Sequence, residues 1–295
     1  MLHTDHFTPA ADMPWTVASP FRMQPGLSRR EGAGHTLLLR DAQAPAYARA
    51  KQAVLNRNPQ RALAGAPDPQ VLAAVAKAAA RETGQVLPAD LRALTLGLQE
   101  DVVFLHDEPD APGAASGAVM RVRALSVCFP SKWRPDEKPG KDFAAIHAPV
   151  ADNTLLLAGA RGIVDLAFRQ ASMLRHVWLL TPDPSLALYP DEPQRVAWEQ
   201  ALQQAESGAG RLLDQALFRV ERQTTLPLPA LGAGVFFIRV MVCPLPEVLA
   251  VAPGRAAELA QALASMSEAV LAYRGMTEVR ERLLAELQVL AISGR

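Results

Sequence analysis

Five short runs rich in valine, phenylalanine and leucine constrain the fold of this chain most strongly. Runs of this length and composition are typical of β-strands. Segments rich in proline and glycine separate the first run from the second and the fourth from the fifth, as expected between antiparallel partners. Because the runs cluster and do not alternate strictly with helices, the sequence predicts an α+β fold with a mostly antiparallel sheet of about five strands. The runs cover residues 101–106, 119–129, 173–180, 218–225 and 235–242.

Helical periodicity surrounds these strands. Residues 1–45 are rich in proline, glycine and arginine and predict an extended N-terminal arm over the surface, followed by a single domain over 46–295. In the N-terminal helical region, Asp68 precedes Pro69 as an N-cap would, and Gly84 is expected to end that helix. Tyr47, Lys51 and Leu55 share one helical face. Further helices are predicted over 154–169, from 193 towards 217, and as a C-terminal helical hairpin over 256–272 and 277–292.

The charge pattern excludes several classes of partner. Thirty basic and thirty acidic residues balance, and neither sign forms a long block, so neither a nucleic-acid partner nor a polybasic membrane patch is expected. The first twenty residues lack the apolar segment of a signal peptide, and no apolar run approaches the length of a transmembrane helix. We therefore expect a cytoplasmic protein.

The chain also lacks recognisable binding motifs for several cofactors. The chain contains no GxGxxG or GxxxxGK[ST] fingerprint, so flavin, NAD and ATP sites are not expected. Cys128 and Cys243 are too few for an iron–sulfur cluster or a four-cysteine zinc site, and we expect buried, inert thiols. The six histidines form no HExxH motif.

One histidine has an unusual setting. His147 lies between Ile146 and the sequence Ala148-Pro149-Val150, behind a charged, turn-forming loop. A neutral imidazole in an apolar frame suits a haem iron or a single metal ion. It equally suits a hydrogen-bonded histidine of an ordinary core, and the residues alone leave both interpretations open. Of the others, His3 and His6 fall in the N-terminal arm and His106 is expected in a solvated turn.

Two predicted strands carry polar residues where buried positions are expected. In residues 173–178, alternation places His176 with Leu174 and Trp178, and Arg175 on the other face, so one of the two polar residues faces inward. In residues 218–225, Glu221 and Arg222 fall on opposite faces by the same rule. The second run is either a charged, exposed strand or the polar wall of a pocket.

Taken in order, several short strings resemble the haem-dependent oxidative N-demethylase alpha-subunit family. Each string is common, but their order along roughly residues 20 to 285 is specific. The strings are Phe21-Arg22-Met23, Gln99-Glu100-Asp101, Cys128-Phe129-Pro130-Ser131-Lys132-Trp133, Ile146-His147-Ala148-Pro149-Val150, Arg175 with Trp178, Arg219-Val220-Glu221-Arg222-Gln223-Thr224 and Tyr273-Arg274-Gly275.

The resemblance implies a PAS-like sheet with flanking helices that binds haem b and oxidises a small methylated amine with oxygen. It implies His147 as the iron ligand, with Arg175, His176 and Trp178 around the cofactor and Arg175, Glu221 and Arg222 as candidate catalytic groups. Electrons in this family come from a separate flavin and iron–sulfur reductase subunit. A carboxylate such as Glu221 suits a cationic amine, and an arginine suits a haem propionate.

The chain departs from the family pattern at three places. The family has Arg-x-Asn-Trp where this chain has Val177 at the third position, and a basic segment where this chain has Thr225-Leu226-Pro227. The family proline after IHAPV is Ala151 here. Two alternatives to an amine-oxidising enzyme therefore remain: a PAS-like protein that binds haem or another small ligand for sensing, and a haem-free relative.

Overall fold

A seven-stranded antiparallel sheet organises the chain in this computed structural model, which describes residues 4–30, 35–109, 118–208 and 210–293. Across the sheet the strand order is β1-β5-β6-β7-β3-β4-β2. The strands are β1 Ser28–Arg29, β2 Leu63–Gly65, β3 Asp101–Pro109, β4 Ala118–Ser126, β5 Met173–Thr181, β6 Leu217–Leu228 and β7 Ala233–Pro244. The α+β class is therefore confirmed, and β3 to β7 are the five predicted strands.

The sheet differs from the expectation of about five strands because β1 and β2 extend its edges. Each has only two or three residues and pairs with one long strand, β1 with β5 and β2 with β4. Segments this short show no apolar alternation that a sequence pattern could reveal. The expected connection between β3 and β4 falls largely at residues 110–117, outside the described residues.

The α-helices lie in most of the intervals between strands and after β7. They are α1 Ala44–Arg57, α2 Pro59–Ala62, α3 Pro69–Thr83, α4 Leu91–Gly97, α5 Phe143–His147, α6 Thr154–Ala158, α7 Ala160–Val164, α8 Trp198–Glu206, α9 Leu212–Gln215, α10 Leu245–Ala250, α11 Arg255–Ala264, α12 Glu268–Arg274 and α13 Arg280–Ser293. A π-helical turn, Asp165–Gln170, continues α7, and 3-10 turns occur at Ala10–Asp12, Pro135–Glu137 and Pro229–Leu231.

Local signals explain several helix ends. The Asp68 carboxylate accepts a hydrogen bond from the Gln70 backbone N–H, and Gly84 ends α3 in the left-handed conformation at φ 71°, both as predicted. The predicted C-terminal hairpin is instead three helices. The Ser267 hydroxyl caps a separate helix α12, which Gly275 ends at φ 66°.

The alternation of side chains gives the sheet two distinct faces. One, the cavity face, carries Arg175, Glu221 and Ile238, and the other, the opposite face, carries His176 and Arg222. On the cavity face, α1 packs against the ends of β6 and β7, while α7 and the π-helical turn pack on β3 and β4. Helices α3 and α4 and the C-terminal helices cover the opposite face.

The N-terminal segment is largely irregular, and several of its side chains are buried. Met13, Leu37 and Leu38 are at most 3% exposed and belong to the apolar clusters on the opposite face. Phe21 and Met23 pack against the same side. Residues 4–30 and 35–43 therefore contribute to the packed interior of the fold.

Candidate functional site

A cavity of about 670 Å³ lies against the cavity face of the sheet and extends around the edge of β5. Its apolar walls come from the strands and from the segment over α5 to the π-helical turn, and residues 16–28 line it at the edge. A volume of this size, with mostly apolar walls and a few polar groups, is typical of sites for organic ligands. Apolar lining residues include Leu105, Leu125, Ile146, Leu156, Phe168 and Ile238.

Segments distant in the sequence meet at this cavity. His147, Arg175, His176, Trp178 and Glu221 all line it. So do Phe21-Arg22-Met23, Ser131-Lys132-Trp133 and Tyr273-Arg274. Five of the predicted site residues and most of the recognised strings are thus gathered at one place in the fold.

His147 ends the short helix α5. Asp142 caps the N-terminus of this helix, and its carboxylate accepts a hydrogen bond from the Ala145 backbone N–H. The His147 Nδ1 lies 2.7 Å from the Phe143 carbonyl oxygen, and the two rings stack at 4.0 Å. A carbonyl only accepts hydrogen bonds, so Nδ1 carries the proton and Nε2 keeps its lone pair. The amide of Asn153 donates to the His147 carbonyl at 3.1 Å and steadies the end of the helix.

The electrostatic surroundings keep this imidazole neutral. Burial lowers the pKa of His147, the Phe143 carbonyl acts in the opposite sense, and Arg175 and Lys138 lower the pKa further. A neutral ring with one nitrogen fixed by a backbone carbonyl is the arrangement in which histidines bind metal ions.

Glu221 lies on β6 with a fixed carboxylate. Its Oε1 accepts from the Ser131 hydroxyl at 2.5 Å, and its Oε2 accepts from the Gln223 amide at 2.8 Å. Arg219, on the same face, donates to the Ser131 oxygen at 3.0 Å and to the Leu186 carbonyl at 2.7 Å. With both oxygens hydrogen-bonded, the carboxylate has one orientation at the cavity wall.

Arg175 is directly opposite Gln223 on the neighbouring strand. Its Nε is buried and has no hydrogen-bond partner among the described residues, and the same is true of the Gln223 Oε1. Burial lowers the pKa of Arg175, while the negative charge of Glu221 acts in the opposite sense. Neither atom is therefore satisfied by the described protein atoms.

The charged groups around the cavity are predominantly positive. Five basic side chains line it, whereas Glu221 is the single acidic residue among its described lining residues. Burial lowers the pKa of both Lys132 and Lys138. The basic residues are Arg22, Lys132, Lys138, Arg175 and Arg274.

Trp178 and His176 reach the cavity from the other face of β5. Trp178 is 4% exposed, and its ring stacks on Phe218 with 5.9 Å between centroids. Arg274 donates to the Trp178 carbonyl at 2.8 Å and lies over the rings of Phe21 and Trp178, at 4.5 and 5.1 Å from their centroids. Through these contacts, Trp178 connects the cavity wall at the edge of β5 to the C-terminal helix α12. The pKa of His176 falls to about 4, first because of burial and then because of Arg222.

The sheet separates Arg222 from Glu221, as alternation predicts. The Arg222 guanidinium donates to the backbone carbonyls of Thr36 and Leu37 on the opposite face, and Arg222 is not part of the cavity lining. Its observed contacts hold the N-terminal segment on the sheet. Of the predicted catalytic residues Glu221 and Arg222, only Glu221 therefore lies at the cavity.

Gln99-Glu100-Asp101 also lies away from the cavity lining. Glu100 accepts from the Leu39 backbone N–H at 2.9 Å, and Gln99 bonds to Asp41. Asp101 forms an ion pair with Lys51 in which both side chains are fully buried. These hydrogen bonds and this ion pair therefore hold α1 and the N-terminal segment against the start of β3.

The remaining histidines and cysteines differ in their settings. His3 falls outside the described residues. His6 is buried, its Nε2 lies 2.8 Å from the Pro184 carbonyl, and His106 is half-buried within β3 and is not in a turn. Cys128 and Cys243 are buried, and burial raises the pKa of each thiol to about 12, in agreement with inert thiols.

Sequence reasoning missed several residues of this cavity. Gln223 could have been found, because alternation places it on the same face as Glu221. Ser131, Lys138 and Tyr273 come from loops or from a helix end, where no periodic pattern indicates the direction of a side chain. Within the described residues, no group of three or more His, Cys, Asp or Glu could bind a metal ion, and no helix is long and apolar enough to cross a membrane.

Comparison with known proteins gives one clear match. Residues 37–284 match the family described as haem-dependent oxidative N-demethylase, alpha subunit-like. No significant match to a curated protein was found. Since the matched region covers most of the chain and includes His147, Arg175 and Glu221, this protein belongs to the haem-dependent oxidative N-demethylase alpha subunit-like family.

Proposed function

We propose that this protein is the haem-binding oxygenase component of a cytoplasmic small-amine oxidative N-demethylase. In this proposal haem b binds a PAS-like cavity with His147 as the axial ligand of the iron. A separate flavin and iron–sulfur reductase supplies electrons, which agrees with the description of the family as an alpha subunit. The observation that carries the proposal is the neutral His147 ring at the cavity wall, with Nδ1 bonded to the Phe143 carbonyl.

The residues of the cavity suit haem in three respects. The apolar walls match a flat, largely hydrophobic macrocycle, and a single histidine is enough for one axial bond. The positive lining suits two propionates, because Arg22, Lys132 and Lys138 have no acidic side chain within ion-pairing distance among the described residues. His176 and Trp178 would border the cofactor at the edge of β5.

When bound, haem would supply the activation of oxygen needed to oxidise an N-methyl group. The chain's own residues bind and orient the reactants. The apolar walls exclude bulk water, which strengthens every electrostatic contact inside the cavity. Glu221, held by Ser131 and Gln223, would bind the substrate nitrogen in its cationic form. Arg175 provides a positive group on the same wall.

A variant of the axial ligand tests the proposal. The protein should bind haemin with a sharp shift of the Soret absorption band, and His147→Ala should abolish that shift or weaken it strongly. His106→Ala is the matched control, because His106 is a half-buried histidine of β3 that is not part of the cavity lining. An unchanged Soret band in His147→Ala would show that His147 is not the ligand.

A second candidate function is haem-dependent or small-ligand sensing without turnover. Val177 favours it, because it replaces the amide of the family pattern at the position directly opposite Glu221. The loss removes a hydrogen-bonding group from the wall where a substrate would be oriented. Formaldehyde formation from dimethylamine, oxygen and a reductant would support the enzyme, whereas reversible oxygen binding without amine consumption would support the sensor.

A further inference from the structure

The cavity face contains two opposite charges that are near one another without touching. Arg175 is opposite Gln223, and Glu221 is two residues along β6 on the same face. Diagonal neighbours of this kind on adjacent strands are roughly 7–8 Å apart, with their Cβ atoms somewhat closer. The two charges influence one another electrostatically, yet they form no ion pair. The wall thus presents a cationic and an anionic group separated by a gap.

Unsatisfied polar atoms lie at this gap. Among the described residues, neither the buried Nε of Arg175 nor the buried Oε1 of Gln223 has a hydrogen-bond partner. Buried donors and acceptors without partners are rare in native proteins. One of these atoms is a donor and the other an acceptor, so a ligand that satisfies both must itself carry an acceptor and a donor.

The charge of the whole cavity restricts the ligand further. Its described lining residues carry five positive charges against the single negative charge of Glu221. Two haem propionates would neutralise part of this excess and leave it positive. A simple alkylammonium ion would enter this field against repulsion, whereas a ligand with a carboxylate would be attracted.

We infer that the substrate of this site is a zwitterion, namely an N-methylamine with a carboxylate a short distance from its nitrogen, as in N-methyl amino acids. The carboxylate binds Arg175, and the methylammonium group binds Glu221 and the free oxygen of Gln223. Val177, opposite Glu221, gives the intervening wall an apolar surface suited to methyl and methylene groups. The inference rests on the proposed function and specifies its substrate class.

Calorimetric titration with two matched probes tests the inference. N-methylglycine carries the carboxylate, and N-methylethylamine has a methyl group in its place. We expect N-methylglycine to bind about tenfold more tightly or better, because one charge-assisted hydrogen bond in a confined site is worth at least that factor. Equal affinities, or tighter binding of N-methylethylamine, would overturn the inference without any variant being needed.

Variants locate the carboxylate site. Arg175→Met should remove the preference for N-methylglycine, and Arg175→Lys should restore part of it. Arg161→Met, which removes an exposed arginine outside the cavity lining, should leave the preference intact. A full preference retained in Arg175→Met would overturn the assignment of the carboxylate to Arg175. The Soret band of each sample reports haem separately, so a failure of the proposed function is distinguishable from a failure of the zwitterion inference.

Discussion

Removing the ammonium group of Lys51 should destabilise the fold more than the same substitution at an exposed lysine. The Lys51 Nζ lies 3.1 Å from the Asp101 carboxylate and donates to the Glu100 carbonyl at 2.6 Å, and both side chains of the ion pair are 0% exposed. In Lys51→Met, Asp101 keeps its hydrogen bond from the Phe129 backbone N–H but loses its counter-charge. Leaving one buried charge unpaired costs about 3–5 kcal/mol.

A double variant separates the unpaired charge from lost packing. In Lys51→Met/Asp101→Asn the amide oxygen can still accept from the Phe129 backbone N–H, and no buried charge remains. We expect the double variant to be more stable than Lys51→Met alone, because no unpaired buried charge remains. Its loss should differ from the sum of the two single losses by roughly 0.5–3 kcal/mol, the range of coupling between contacting residues.

Urea unfolding followed by fluorescence and circular dichroism measures these free energies. Lys77→Met is the control, because Lys77 is exposed on α3, and it should change the free energy of unfolding by no more than about 0.5 kcal/mol. A loss below about 1 kcal/mol in Lys51→Met would refute the reasoning. So would a double variant whose loss equals the sum of the two single losses, since the charges would then not be coupled.

Three further variants test the electrostatics and packing around the sheet. The native pKa of His176 lies at about 4, below its ordinary value of 6.5. The neutral ring therefore stabilises the fold above about pH 6.5, and this contribution is lost as pH falls towards 4. His176→Gln should make the decrease of Tm over that interval smaller. Arg222→Met should lower the free energy of unfolding by about 1–3 kcal/mol, through two lost hydrogen bonds to backbone carbonyls, while the Soret band of the haem-loaded protein persists. Gly234→Ala should cost about 1–3 kcal/mol, since the added Cβ would lie 2.8 Å from the Phe168 side chain, whereas Gly162→Ala meets open space and should leave Tm unchanged or raised.

The long strands could be predicted because their apolar composition and bounding turns are local properties. Alternation along residues 218–225 also predicted that Glu221 and Arg222 face different sides, and the structure agrees. Alternation cannot show which side contains a cavity, because that depends on the helices packed there. The sequence alone therefore does not distinguish Arg222 from Glu221 as a residue of the site.

Other parts of the site depend on contacts between distant residues. Ser131 bonds to Glu221 across 90 positions, and Arg274 bonds to the Trp178 carbonyl across 96. No local pattern encodes such pairs. The structure places most of the ordered strings at the cavity, whereas Gln99-Glu100-Asp101 holds α1 and the N-terminal segment against β3.

The absorption spectrum of His147→Gly, with and without added imidazole, decides whether His147 binds the haem iron. We expect a sharp Soret band for the haem-loaded protein, loss of that band in His147→Gly, and its return when free imidazole occupies the space of the missing ring. The neutral Nε2 of His147 is the atom that the imidazole nitrogen would replace. A Soret band that is the same in His147→Gly, with or without imidazole, would contradict the assignment of His147 as the iron ligand.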